Sequence, residues 1–199
     1  RLAFGSCFRL PSLCCGRAKV AKMNRPFETQ VPPDSRIAKL LADADFADAW
    51  AIESTQVNLS ALGHFLATAA KTPRWIDLCM RLRNGVAKKL GLKHLGVLSD
   101  VQAAQNESTY KVGDRVGIFS LLENHPHEVL LGDQDKHLTV ALSVHLSPSQ
   151  TTAGGQLVTV STVVKTHQLL GRLYMLPVKP MHRIIVPASL RTLNQGPTS

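Results

Sequence analysis

RVGIFSLLENHPHEVLLGDQDKHLTVALSVHLSPSQTTAGGQLVTVSTVVKTH, residues 115 to 167, reads as an antiparallel meander. Its clearest strand runs from 136 to 146, where Leu138, Val140, Leu142, Val144 and Leu146 share one parity and His137, Thr139, Ala141, Ser143 and His145 the other. Successive side chains on a strand point to opposite faces, so the first set faces a core and the second is expected to be wet. The remaining strands are placed at 115 to 122, 127 to 132 and 156 to 167, joined by ENHP, DQD and the longer SPSQTTAGG.

Upstream, Trp50 and Ile52 alternate with small or polar residues and suggest a first strand around 47 to 54. From Ser60 the spacing turns helical, with Leu62, Phe65, Leu66 and Ala69 on one face until Pro73 interrupts. Thr72 and Pro73 suit the start of a second helix, because Thr can accept from a free amide and Pro fits the first turn. There Trp75, Leu78, Cys79, Leu82, Val86 and Leu90 form an apolar stripe, Arg74, Asp77, Arg81 and Lys88 lie elsewhere, and Gly91 is a C′ residue. Residues 93 to 114 lack periodicity. Downstream, QLLGRLYMLPVKPMHRIIVPASLRTL has helical composition interrupted by Pro177, Pro180 and Pro187, which predicts a kinked helix over about 168 to 193.

Strand, two helices, meander and long terminal helix make an α+β chain. The order predicts a helix grip: a curved antiparallel sheet around a kinked long C-terminal helix, with two shorter helices after the first strand. Such a grip usually leaves a cavity.

With 199 residues, 44% hydrophobic content and a mean hydropathy of +0.01, the chain suits one soluble globular domain. No apolar run approaches the roughly 18 residues that cross a bilayer, so no membrane partner is expected. The net charge of +9 is partly an effect of residues 1 to 22, whose Arg1, Arg9, Arg17, Lys19 and Lys22 meet no acidic residue; without these five the net charge is +4. That leader also holds Cys7, Cys14 and Cys15, and it stops before MNRPFETQ, which looks like a natural start at Met23. It reads as an upstream region from a misplaced start, a truncated targeting peptide or a disordered basic arm, the first being favoured. Residues 23 to 44 form an extended lead-in with a short helix through Leu41, capped by Asp34 or Ser35, and 45 to 195 form the domain. Cys79 alone falls in the folded portion, which points to a reducing compartment and the cytoplasm. Aromatics at 5% and the lack of a binding motif argue against nucleic acid.

Asp133, Asp135 and His137 in GDQDKH invite a metal, yet the further oxygen ligands of a calcium loop are missing, and a tight turn with aspartates capping amides accounts for them better. His137 and His145 stand roughly 26 Å apart on one strand at about 3.3 Å per residue and cannot share an ion. His125 and His127 flank Pro126 without a third ligand. No metal and no cofactor are therefore expected. Phosphate loops, nucleophile elbows, CxxC and HExxH motifs are also missing, and Cys79 reads as inert filler.

The cavity candidates are Trp75, Arg83 and Asn84 in the second helix and Tyr174, His182 and Arg183 in the last, the first as a wall and the others as polar groups that could orient a ligand. A plainer account pairs Arg83 or Arg183 with Asp133 or Asp135 and leaves His182 a satisfied, partly buried histidine. Acid or base work by His182 or Tyr174 would need a carboxylate partner, which the sequence does not identify.

TPRWIDLCMRLRN (72 to 84), LLGDQDKHLTVALSV (130 to 144) and GRLYMLPVKPMHRIIVPASLRTL (171 to 193) together resemble a bacterial family, domain of unknown function 2867, from about Asp45 to Leu193. Its members look like relatives of the helix-grip (SRPBCC) superfamily of START domains, polyketide cyclases and Bet v 1-like pollen allergens. Some are fused behind a nucleotide-binding reductase-like domain, which would make a reductase-like partner conceivable. The resemblance implies a fold and carries no established catalytic residues. Binding of a small, largely apolar molecule, or a non-catalytic accessory role, is the expected function. The rival is a cyclase- or lyase-type enzyme using His182, Tyr174 and Arg83. A titratable pair inside the cavity would favour the rival, and an all-apolar wall would favour binding.

Overall fold

Among the described residues, seven strands form one antiparallel sheet: β1 (Phe27–Thr29), β2 (Phe46–Ser54), β3 (Arg115–Val116), β4 (Phe119–His125), β5 (Glu128–Gln134), β6 (Leu138–Pro148) and β7 (Gln156–Thr166). The computed structural model describes residues 25–89, 107–150 and 154–194. The strand order is β1-β2-β7-β6-β5-β4-β3, so the strand that precedes the helices closes onto the last strand of the meander. Between β2 and β3 come α1 (Ala61–Ala70) and α2 (Arg74–Lys89), and α3 (Leu169–Leu190) follows the sheet. The result is α+β and helix-grip-like, as the element order predicts.

Register decides which side chains share the helix-facing side. Asp48 pairs with Thr162 and Thr162 with Leu142; Trp50 pairs with Val160 and Val160 with Val144. That face therefore carries the apolar parity of β6 together with Phe46, Asp48, Trp50 and Ile52 of β2 and Val158, Val160, Thr162 and Val164 of β7. Its main core joins Ile52, Val129, Leu131, Val144 and Val158 of the sheet to Leu62 and Phe65 of α1 and Leu190 of α3. Ser60 caps α1 by accepting from the Gly63 amide at 3.0 Å, and its own hydroxyl donates to Glu107 at 2.6 Å.

The stripe expected to bury α2 is turned mostly outward, with Cys79 half-buried. Leu78 and Leu82 are 68% and 71% exposed and Trp75 is exposed too, whereas Ile76 is fully buried and Met80 packs on the core. Both sets are apolar and their mean directions lie about 150° apart around a helix, so spacing alone does not choose between them. Val86 as a side chain, Leu90, Gly91 and residues 93 to 106 fall outside the described residues.

α3 is one continuous 22-residue helix with Pro177, Pro180 and Pro187 inside it, followed by a 3-10 turn, Arg191–Asn194. Its first turn sits close to the sheet. A Cβ on Gly171 would lie 2.4 Å from the His137 carbonyl oxygen, so only glycine admits this approach.

The opposite face is not wet along its middle. A 3-10 helix, Arg36–Asp43, lies over it, and Ile37 joins Leu130, Ala141 and Val163 in a second small core. His137, Ser143 and His145, expected in water, are buried. The lead-in also supplies β1, an edge strand too short to show in the sequence pattern, so α1 and α2 follow the second strand. The strand expected at 115 to 122 is split by a turn at Gly117, whose φ is +60°.

Candidate functional site

A cavity of about 580 Å³ lies between the helix-facing side of the sheet and the three helices. Val140, Leu142, Val158, Val160 and Val164 form its floor, Met175, Val178 and Met181 of α3 its roof, and Phe65 and Phe119 one wall. Leu82 lines it while being largely exposed, which places that side chain at the rim. The lining is almost wholly apolar, so its few polar groups stand out.

The most tightly held of these is His182, gripped by a carboxylate that is not itself part of the lining. His182 of α3 reaches down to β2 and places Nδ1 2.7 Å from Oδ2 of Asp48, whose side chain is only 5% exposed. Nε2 lies 3.5 Å from Oγ1 of Thr162, the residue directly across from Asp48. A carboxylate oxygen accepts, so Nδ1 is the ring nitrogen that donates toward Asp48, and Nε2 is the one turned toward Thr162. The other carboxylate oxygen, Oδ1, is buried without a hydrogen-bond partner among the described residues. Phe46 holds the ring from one side, edge-on with centroids 5.9 Å apart, and Lys179 Nζ sits 5.6 Å from the Phe46 centroid.

Another histidine, His64 of α1, also lines the cavity, with both ring nitrogens engaged. Nδ1 meets the Ser60 carbonyl at 3.0 Å and Nε2 the Ser54 hydroxyl at 3.3 Å. Burial pushes its pKa below the ordinary value, against smaller opposing effects of the Ser60 carbonyl and Glu107. His64 is thus a neutral structural residue.

A third polar point comes from α2. Arg83 Nε donates to Tyr174 Oη at 2.6 Å, the guanidinium carbon lies 5.2 Å from the ring centroid, and Nη1 donates to Asn84 Oδ1 at 2.8 Å. Tyr174 and His182 are two helical turns apart, about 12 Å along α3. The cavity could thus address two separated groups on one ligand.

Of the six residues singled out in the sequence, Arg83, Tyr174 and His182 line the cavity. Asn84 is buried beside Arg83, while Trp75 and Arg183 are exposed and do not contribute to the lining. Asp133 pairs with Arg115 at 3.1 Å rather than with Arg83 or Arg183. Asp135 caps the amides of His137 and Leu138 at 2.7 and 2.9 Å, as the turn reading expects. Asp48 and Thr162 are the residues sequence reasoning missed. The signal was available: Asp48 has the same parity as Phe46, Trp50 and Ile52.

Among the described residues no group of three His, Cys, Asp or Glu could hold a metal ion, and no helix is long and apolar enough to cross a membrane. No curated protein and no solved structure matches the chain. A family model described as protein of unknown function (DUF2867) matches residues 40–189, from the 3-10 helix through nearly all of α3. This match covers well over half of the sequence, and the chain belongs to that family.

Proposed function

We propose that the domain binds a small, largely apolar molecule in the cavity under α3, with one oxygen or nitrogen of the ligand oriented by His182 and Thr162. The observation that carries this reading is the volume of about 580 Å³ with an almost wholly apolar lining. Small-molecule sites typically occupy ~300–1,000 Å³ and combine apolar walls with a few fixed polar groups. Kinship with the helix-grip superfamily, which the element order supports, agrees with such a use of the space between sheet and terminal helix.

The test is direct. N-phenyl-1-naphthylamine, a neutral apolar fluorophore, should bind with a blue-shifted rise in emission, and Val160→Trp, which fills the floor, should weaken that binding by at least ~10-fold while the protein still melts cooperatively. Equal binding by the filled variant would defeat the proposal. Native mass spectrometry of protein from its own source should show a co-purifying small molecule that the filled variant lacks.

A binding domain and an enzyme would both use this cavity. They differ in whether His182 only anchors the ligand or also exchanges a proton with it.

A further inference from the structure

We infer that His182, Asp48 and Thr162 form a proton-transfer site acting on an apolar carbonyl compound, at the carbon next to its carbonyl group. This rests on the cavity being a ligand site, as proposed above.

Three features of the geometry point the same way. Asp48 grips Nδ1 at 2.7 Å, so the nitrogen left to accept a proton is Nε2. The Thr162 hydroxyl stands 3.5 Å from Nε2, longer than the ~2.9 Å of a good hydrogen bond, so it remains available to a ligand. A carbonyl oxygen accepting from Thr162 would bring its neighbouring carbon up to Nε2. The third feature is electrical. Asp48 is a buried carboxylate with Oδ1 unpartnered among the described residues. When the ring takes a proton from the ligand, ring and carboxylate become an ion pair, and the imidazolium gains a fixed counter-charge.

The step balances without a co-reactant. The Nε2 lone pair takes the proton, the C–H electrons form a carbon–carbon double bond, and the carbonyl π electrons move onto the oxygen held by Thr162. Return of the proton to the same carbon gives exchange with solvent label, and return to a conjugated carbon two positions away gives a double-bond shift. Thr162 and His182 touch the substrate in this scheme; Asp48 is a positioning residue. His64 does not compete, because both its ring nitrogens are engaged.

The test uses the full chain in deuterium oxide with 2-tetralone, a bicyclic apolar ketone, and 2-decanone, a linear one. Binding is followed by displacement of N-phenyl-1-naphthylamine and exchange at the carbons flanking the carbonyl by proton NMR. The wild type should bind at least one ketone and exchange it ~100-fold or more faster than His182→Gln, a loss within the range for a general base. Asp48→Asn and Thr162→Val, both near-isosteric, should also lower exchange. In Asp48→Asn, nitrogen-15 spectra should show the ring proton moved to Nε2, a change that a merely structural carboxylate would not cause. Binding without exchange above the His182→Gln level would overturn the proton-transfer site and leave the binding reading standing. Displacement by neither ketone, with the fluorophore still bound, would overturn the proposed substrate class and with it this inference. Failure of the fluorophore itself to bind would overturn both.

Discussion

The Ser35 hydroxyl donates to Oε1 of Glu128 at 2.6 Å across 93 residues of sequence, so the 3-10 helix that follows Ser35 is capped from β5 and not by Ser35 itself. The same carboxylate accepts from the Arg36 amide at 2.9 Å and the Ser143 hydroxyl at 2.7 Å. Glu128→Ala strands all three donors in a buried setting and should cost about 3 kcal/mol in urea unfolding. Glu128→Gln keeps one acceptor and should cost less, about 1 kcal/mol.

Two glycines should respond oppositely to the same change. Gly171→Ala drives a Cβ to within 2.4 Å of the His137 carbonyl oxygen, and relieving that contact should cost about 1–3 kcal/mol. Gly85→Ala, in α2, meets nothing within 4 Å and should stabilise the protein by about 0.5–1 kcal/mol. Parallel thermal melts of the two variants check the sign of each.

The phase of α2 can be read from two truncations. Ile76→Ala should destabilise by about 2–4 kcal/mol, because Ile76 is fully buried. Leu78→Ala, at a largely exposed position, should stay within ~0.5 kcal/mol. Equal losses at both would mean that the helix is rotated from the orientation described.

Burial lowers the His64 pKa in the folded state from its ordinary 6.5. The unfolded chain then binds the proton more readily, so His64 contributes stability that is fully present above pH 6.5 and is lost as pH falls through the lower folded value. Melting temperature should therefore drop between about pH 7.5 and pH 5, and His64→Gln should flatten that slope. Asp45 and Glu123, whose pKa values lie below the ordinary 3.8 and 4.5, act in a more acidic window and leave this one clear.

Strands were legible in the sequence wherever one face was apolar and the other polar, as in β6, where Leu138 to Leu146 alternate without a break. The terminal helix was legible because its apolar density outlasts three prolines. Two things were hidden for different reasons. In α2, Trp75–Leu78–Leu82 and Ile76–Met80 are both plausible inner faces, and only packing selects the second. In the site, His182 and Asp48 are separated by 134 residues, and the β2–β7 register brings Asp48 opposite Thr162 under the histidine. The residues Arg83, Tyr174 and His182 could be named in advance; which of them meets a carboxylate could not.

Pro177, Pro180 and Pro187 have a consequence for how α3 can lie over its sheet. Each removes one amide from the helical ladder, leaving the carbonyls of Leu173, Leu176 and Arg183 without their usual donors. All three residues are exposed, so water can satisfy those oxygens. The outer side of the helix is thereby slackened while residues such as Met175, Val186 and Leu190 stay anchored inside. An unbroken alanine-rich rod would be the better helix in isolation and the poorer vault over a bowed floor.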